Sequence, residues 1–214
     1  MSNSLNKLYR ESVERICKIS NELPWSNREF YGLWLTQTYH FVRHSTRLVT
    51  LASSRLPLDL EGLRRRFVEH AKEEWGHERL AANDLKNLDF DLNHFRELGV
   101  TAGFYQSQYY WIEHVNPVAF FGYILLLEGL AIEAGPDIYE QVSRAFSPKS
   151  GAFLRLHAAE DVDHIEKALQ EISQLNDDEM QLVIHNFRNA VEGYELMLKE
   201  IQNEVNIEAA GSAA

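Results

Sequence analysis

The feature that most constrains the fold is a helical spacing of apolar residues, which recurs along almost the entire chain. In most segments, apolar residues return every three to four positions, as they do in an amphipathic α-helix. No segment of useful length alternates between apolar and polar residues, as a half-buried β-strand would. The sequence therefore predicts an all-α protein, a single-domain bundle of about seven helices.

Proline, glycine and capping residues divide this pattern into separate helices. Pro24, followed by Ser26 and Asn27, separates the first two helices, and Gly135 with Pro136 interrupts the fifth before a shorter continuation. The predicted helices cover residues 4–22, 27–53, 59–86, 101–114, 117–134, 150–173 and 177–206. One helical domain thus spans residues 1–206, and the polar tail 207–214 is expected to be disordered.

Charge and composition limit the classes of partner. The chain of 214 residues has a formal net charge of -11, whereas nucleic acids and anionic membranes require a basic face. The N-terminus lacks the apolar core of a signal peptide, and the longest apolar run, Phe120 to Ile132, is too short to span a membrane. The single cysteine, Cys17, cannot form an internal disulfide. We therefore expect a cytoplasmic protein that binds neither nucleic acid nor membrane.

Two segments repeat one order of polar residues. The sequences "HAKEEWGHE" at 70–78 and "HAAEDVDHIE" at 157–166 both have His, Ala, Glu, an acid and His at the same offsets. At about 100° per residue, the histidines and one acid of each segment fall on the apolar stripe of a predicted helix. These residues are His70, Glu74 and His77 in the third helix, and His157, Asp161 and His164 in the sixth.

A further carboxylate, Glu128, stands inside an apolar run and follows Leu125, Leu126 and Leu127 directly. Burying an unpaired carboxylate is unfavourable, so such a group is usually neutralised, ion-paired or bound to a metal. The second helix contributes His40, which lies about as far before His70 as Glu128 lies before His157. This spacing is compatible with a duplication that includes the preceding helix.

Carboxylates and imidazoles on facing helices are a ligand set that suits iron or manganese. The absence of candidate thiolate ligands argues against a structural zinc site. We expect iron, with two ions and with manganese as the alternative, and open coordination positions would allow it to activate dioxygen. The predicted metal ligands are Glu74, His77, Glu128, His157, Asp161 and His164, with His40, His70 and Glu73 as weaker candidates.

The same residues also have a structural interpretation. A single histidine on an apolar stripe is often a hydrogen-bonded core residue, and this alternative applies most to His40 and His70. The basic segment "EGLRRRF" at 61–67 is expected to form a solvated face. Aromatic residues such as Trp34 and Tyr123 are expected to pack in the core.

The pattern resembles the heme-oxygenase-like superfamily, in its CADD-like and TenA-like branch that includes the heme-oxygenase-like diiron oxidases. The segment "HAAEDVDH" at 157–164 matches the His-x3-Asp/Glu-x2-His metal motif of that family, and Glu128 falls where the family places a metal-bound glutamate. Some members carry a Glu-x6-His pair on the third helix, where this chain has His70 six residues before His77. The ligand there is therefore Glu74, Glu73 or His70.

The resemblance implies a non-heme, diiron oxidase or oxygenase that uses dioxygen on a small organic substrate. The alternative is a metal-free, cofactorless oxidase or small-molecule-binding protein of the pyrroloquinoline-quinone-synthase or TenA type. A third hypothesis is a helical interaction protein in which the buried polar cluster fixes helix register. Arg43 and Arg47 on the second helix are candidates for contacting a substrate carboxylate. A homodimer is compatible with a bundle of this size.

Overall fold

The computed structural model is a bundle of α-helices. It describes the backbone of residues 3–212 and the side chains of these residues except 3, 160–168, 171 and 207–212. The described residues form ten α-helices and no β-strand, which confirms the all-α prediction. The helices are α1 (Asn3–Asn21), α2 (Arg28–Val42), α3 (Ser45–Arg55), α4 (Glu61–Glu73), α5 (Glu78–Lys86), α6 (Gly99–Tyr110), α7 (Phe121–Glu133), α8 (Gly135–Ala145), α9 (Ala152–Ile172) and α10 (Asp177–Ser212).

There are ten helices among the described residues, instead of the predicted seven, because two long predicted helices are broken and the continuation after Gly135 forms a separate helix, α8. The third divides into α4 and α5 at Gly76, which has a φ of 90°, a left-handed conformation that glycine adopts without a steric cost. The second divides into α2 and α3 near His44, where no glycine or proline marks the break. The ring of His44 stacks on Tyr105 at 4.1 Å, and its Nδ1 lies 2.8 Å from the Tyr109 hydroxyl. Tertiary contacts therefore accompany the second break.

Helix α10 ends at Ser212, beyond the predicted end at 206. The backbone of residues 207–212 is thus helical where the sequence analysis predicts a disordered tail.

Helix α7 lies in the core of the bundle and is buried on nearly all sides, as expected for a helix that is apolar around its circumference. It packs against α9, α10, α1 and α8. Gly122 permits the closest approach, because a Cβ at this position would lie 2.3 Å from the backbone nitrogen of Phe187 in α10. Glu128 is on the same helix and is buried, so the fold places this carboxylate inside the bundle.

Within residues 3–212, no single helix is long and apolar enough to cross a membrane. The segments Pro117–Glu133 and Gly135–Ala145 reach that length and composition only when they are taken together, and they are bent by 52° relative to each other.

A buried carboxylate joins α5 to the first turn of α9. Asp84 of α5 is fully buried and accepts a hydrogen bond from the backbone N–H of Phe153 at 2.8 Å. Burial raises the pKa of Asp84 to about 6, although the backbone hydrogen bonds from Phe153 and Ala152 oppose this shift. The contact fixes α5 relative to α9, the two helices that carry His77 and His157 at or near their N-terminal ends.

Asp84 should make the stability of the protein depend on pH. The folded state holds the proton more tightly than the unfolded chain, whose aspartate pKa is 3.8. The contribution of Asp84 to the free energy of unfolding should therefore fall as the pH rises from about 4 to about 6, by up to about 3 kcal/mol, and level off above that range. Asp84→Asn keeps an acceptor oxygen but cannot titrate. Urea denaturation of both proteins measures the effect, and a constant difference between them from pH 4 to pH 6 would contradict the prediction.

Candidate metal centre

Three of the predicted ligands come together where α4, α5 and α9 meet. Glu74 directly follows α4, His77 directly precedes α5, and His157 lies in the second turn of α9. One ligand atom from each residue lies within 4.8 Å of the other two. The Nδ1 of His77 is 3.2 Å from the Nε2 of His157 and 3.8 Å from the Oε2 of Glu74. Atoms that each bind one metal ion at about 2.1 Å lie about 3 to 4 Å apart, so this spacing fits a shared cation.

The orientation of His157 is fixed by the backbone. Its Nδ1 lies 2.8 Å from the carbonyl oxygen of Phe153. A carbonyl oxygen can only accept, so Nδ1 carries a proton and donates it in this hydrogen bond. In the neutral ring, Nε2 therefore carries a lone pair that faces His77, where it can accept a hydrogen bond from the Nδ1 of His77 or bind a metal ion. This is the arrangement found in metal-binding histidines, in which the second ring nitrogen is held by a carbonyl or carboxylate.

A second polar group lies beside the first and contains His70 and Glu128. Both side chains are buried, and the Nε2 of His70 is 3.6 Å from the Oε1 of Glu128. On the other side of the ring, the Nη2 of Arg66 is 3.3 Å from the Nδ1 of His70. A guanidinium can only donate, so Nδ1 accepts and the neutral ring has its proton on Nε2.

Because Nδ1 accepts from Arg66, the N–H at Nε2 faces Glu128, and this arrangement favours His70 as a residue that orients Glu128. Glu73 accepts a hydrogen bond from the Nη1 of Arg66 at 2.9 Å. Among the three alternatives for the ligand on the third predicted helix, the geometry therefore favours Glu74, which is the one that lies with His77 and His157.

Sequence reasoning missed Arg66. The segment "EGLRRRF" is expected to be solvated, yet the side chain of Arg66 is only 5% exposed, so that expectation is wrong for this residue. Arg64 does lie near the surface and pairs with Glu61. The spacing in the sequence could have indicated that Arg66 is buried, because it precedes His70 by one helical turn and lies on the same face of the helix.

A cavity of about 110 Å³ adjoins both groups. His70, Glu74, Glu128 and His157 form part of its wall, and most of the remaining wall consists of apolar side chains from α1, α2, α7, α8 and α9. Trp34 and Tyr123 are buried, as expected, but they also line this cavity. The candidate metal centre therefore borders a mainly apolar space suited to a small organic molecule.

The remaining predicted ligands are His40, which lies elsewhere in the bundle, and Asp161 and His164, whose side chains are outside the described residues. The Nδ1 of His40 is 3.8 Å from the Oε2 of Glu97, and His40 is neither in the three-residue group nor in the cavity wall. Burial lowers the pKa of His40, while the negative charge of Glu97 opposes this shift. Asp161 and His164 fall outside the described side chains, so their ligand roles stay predictions.

Comparison with known proteins adds a family and a fold. Residues 33–195 match a family model described as "Iron-containing redox enzyme". No curated protein sequence matches the chain. A domain of unknown function with a heme oxygenase-like fold from Shewanella denitrificans OS217 has a similar structure, with a TM-score of 0.78 and 20% identity over 99% of this chain and 97% of that one.

A TenA homolog from Pseudomonas syringae pv. tomato DC3000 is also similar, with a TM-score of 0.74 and 12% identity over 92% of both chains. At these identities the two structures establish the fold alone. The family match, by contrast, covers most of the chain and includes Glu74, His77, Glu128 and His157. The protein therefore has the heme oxygenase-like fold and belongs to the family of iron-containing redox enzymes.

Proposed function

We propose that the protein is a non-heme iron oxidase or oxygenase that uses dioxygen to oxidise a small organic substrate. The observation that carries the proposal is the orientation of His157, whose Nε2 faces His77 and Glu74 while its Nδ1 is held by the Phe153 carbonyl. Membership in the family of iron-containing redox enzymes supports the choice of metal. The adjoining cavity supports a small organic substrate.

Each polar residue then has a distinct task. Glu74, His77 and His157 would hold one iron ion, and Glu128 would bind a second together with Asp161 and His164 of α9. When bound, iron supplies electrons to dioxygen and acts as a Lewis acid, and manganese is the alternative metal for the same donors. Arg66 and His70 orient the neighbouring carboxylates, and the apolar wall excludes water from the reacting groups.

Replacing His157 should abolish binding at the three-residue group. His157→Ala should weaken ferrous iron binding by about 100-fold or more, because a direct ligand is lost. Anaerobic competition with a chromogenic ferrous chelator measures the affinity, and elemental analysis gives the number of ions per chain. His185→Ala is the matched control. His185 belongs to α10, its ring contacts Trp111, and it lies outside the site. Equal iron affinity in both variants would refute the assignment of His157.

Variants of His70 separate orientation from ligation. His70→Gln retains an N–H near the position of Nε2 and should weaken iron binding by only about 10-fold, as expected for a residue that orients a ligand. His70→Ala removes that donor and should weaken binding further. The same chelator competition measures both variants. If His70 were itself a ligand, the two substitutions would cost the same affinity.

A metal-free binding protein or cofactorless enzyme is the second candidate, and the mainly apolar cavity is the observation that favours it. A thiol nucleophile is not part of this alternative. Cys17 does not line the cavity. Burial raises the pKa of its thiol, and the negative charges of Glu133 and Asp137 raise that pKa further.

Removal of the metal distinguishes the two candidates. If iron performs the reaction, treatment with EDTA should abolish oxygen consumption in the presence of an oxidisable substrate, and ferrous iron should restore it. An oxygen electrode measures the rate, and untreated protein passed through the same desalting step is the control. Oxygen consumption that survives removal of all detectable metal would support the second candidate instead.

A further inference from the structure

Two buried hydroxyl groups in the cavity wall have no hydrogen-bond partner among the described residues. Thr38 and Tyr123 are 1% and 2% exposed, and both line the cavity. Among the residues that the structure describes, neither the Oγ1 of Thr38 nor the hydroxyl of Tyr123 has a hydrogen-bond partner. Leaving a buried hydroxyl without a partner is unfavourable, so these groups require a ligand or a water molecule.

The two hydroxyls belong to different helices of the cavity wall. Thr38 is on α2, one turn after Trp34, and Tyr123 is on α7, one turn before Leu127. Burial raises the pKa of Tyr123 well above its ordinary value, and the negative charge of Glu74 adds to this effect. Tyr123 is thus a neutral hydroxyl close to the candidate metal centre, and it can both donate and accept a hydrogen bond.

The charge of the wall limits what the hydroxyls can bind. None of the described residues that line the cavity is a lysine or an arginine. Arg43 and Arg47, which the sequence suggests as partners for a carboxylate, are not among them. The acidic side chains in the described wall are Glu74 and Glu128, so positive charge there would come from the metal that these residues are proposed to bind. A carboxylate or phosphate of the substrate would therefore bind at that metal, whereas the hydroxyls of Thr38 and Tyr123 suit an uncharged group.

We propose that Thr38 and Tyr123 bind one uncharged hydroxyl or carbonyl group of the substrate, and that the part of the substrate in contact with the cavity wall is mainly hydrocarbon. The inference rests on the proposed function, because it places the substrate of that reaction in this cavity. The apolar wall accommodates the hydrocarbon part. The two hydroxyls replace the hydrogen bonds to water that the polar group loses when it enters the cavity.

Three small probes of similar size test the proposal by isothermal titration calorimetry: benzyl alcohol, benzoate and toluene. The purified protein is titrated before and after treatment with EDTA, so that the result does not depend on the metal. Without metal, benzyl alcohol should bind about 10-fold more tightly than benzoate. Tyr123→Phe and Thr38→Val should each weaken the binding of benzyl alcohol by about 5-fold and leave the affinity for toluene unchanged.

Tyr110→Phe and Thr50→Val are the matched controls. Tyr110 is 62% exposed, and Thr50 is an exposed residue whose hydroxyl bonds to the Thr46 carbonyl. Both controls should bind benzyl alcohol as the wild type does. Unchanged affinity for toluene also shows that the cavity variants are folded.

Three results would overturn the proposal: no binding of benzyl alcohol to the wild type, benzoate binding as tightly as the alcohol without metal, or unchanged alcohol binding in both cavity variants. Loss of iron binding alone would refute the proposed function but leave these probe affinities intact. The two failures are therefore distinguishable.

Discussion

The backbone of Phe153 holds the two sides of the candidate metal centre together. Its N–H donates to buried Asp84, and its carbonyl accepts a hydrogen bond from the Nδ1 of His157, both at 2.8 Å. Asp84 lies about two turns after His77, at the other end of α5. The first hydrogen bond therefore sets the position of α5 relative to α9, and the second sets the tautomer of His157. The short distance between His77 and His157 depends on both.

Concentrating carboxylates inside an apolar bundle has an electrostatic cost that the surrounding residues partly offset. Arg66 is buried against Glu73 and His70, and His70 in turn faces Glu128. A buried arginine beside one carboxylate lowers the cost of keeping that carboxylate ionised. Glu74 lies with two histidines, His77 and His157. Divalent cations stabilise such a mixture of carboxylate and imidazole directly, which explains why the metal interpretation fits the three-residue group best.

Much of this arrangement follows from the sequence, and the rest depends on tertiary contacts. Helical periodicity predicts the all-α fold, and an acidic residue within an apolar run correctly predicts that Glu128 is buried. The break at Gly76 has a local signal, since a glycine inside a helical pattern often ends a helix. The break near His44 has none, because the associated contacts come from α6, far along the chain. The burial of Arg66 likewise depends on which face of α4 meets the bundle, which a run of three arginines does not reveal.

The break between α4 and α5 also decides which polar residues can meet. In an unbroken helix, His70, Glu74 and His77 would lie along one face, as the matching positions do along the continuous helix α9. The turn at Gly76 instead lets His77 contact His157 from the start of α5, while His70 stays on α4 beside Glu128. The two repeated segments therefore have the same order of residues but different geometries. The repeated pattern is therefore asymmetric in the structure, because His157 faces His77 whereas its counterpart His70 lies beside Glu128.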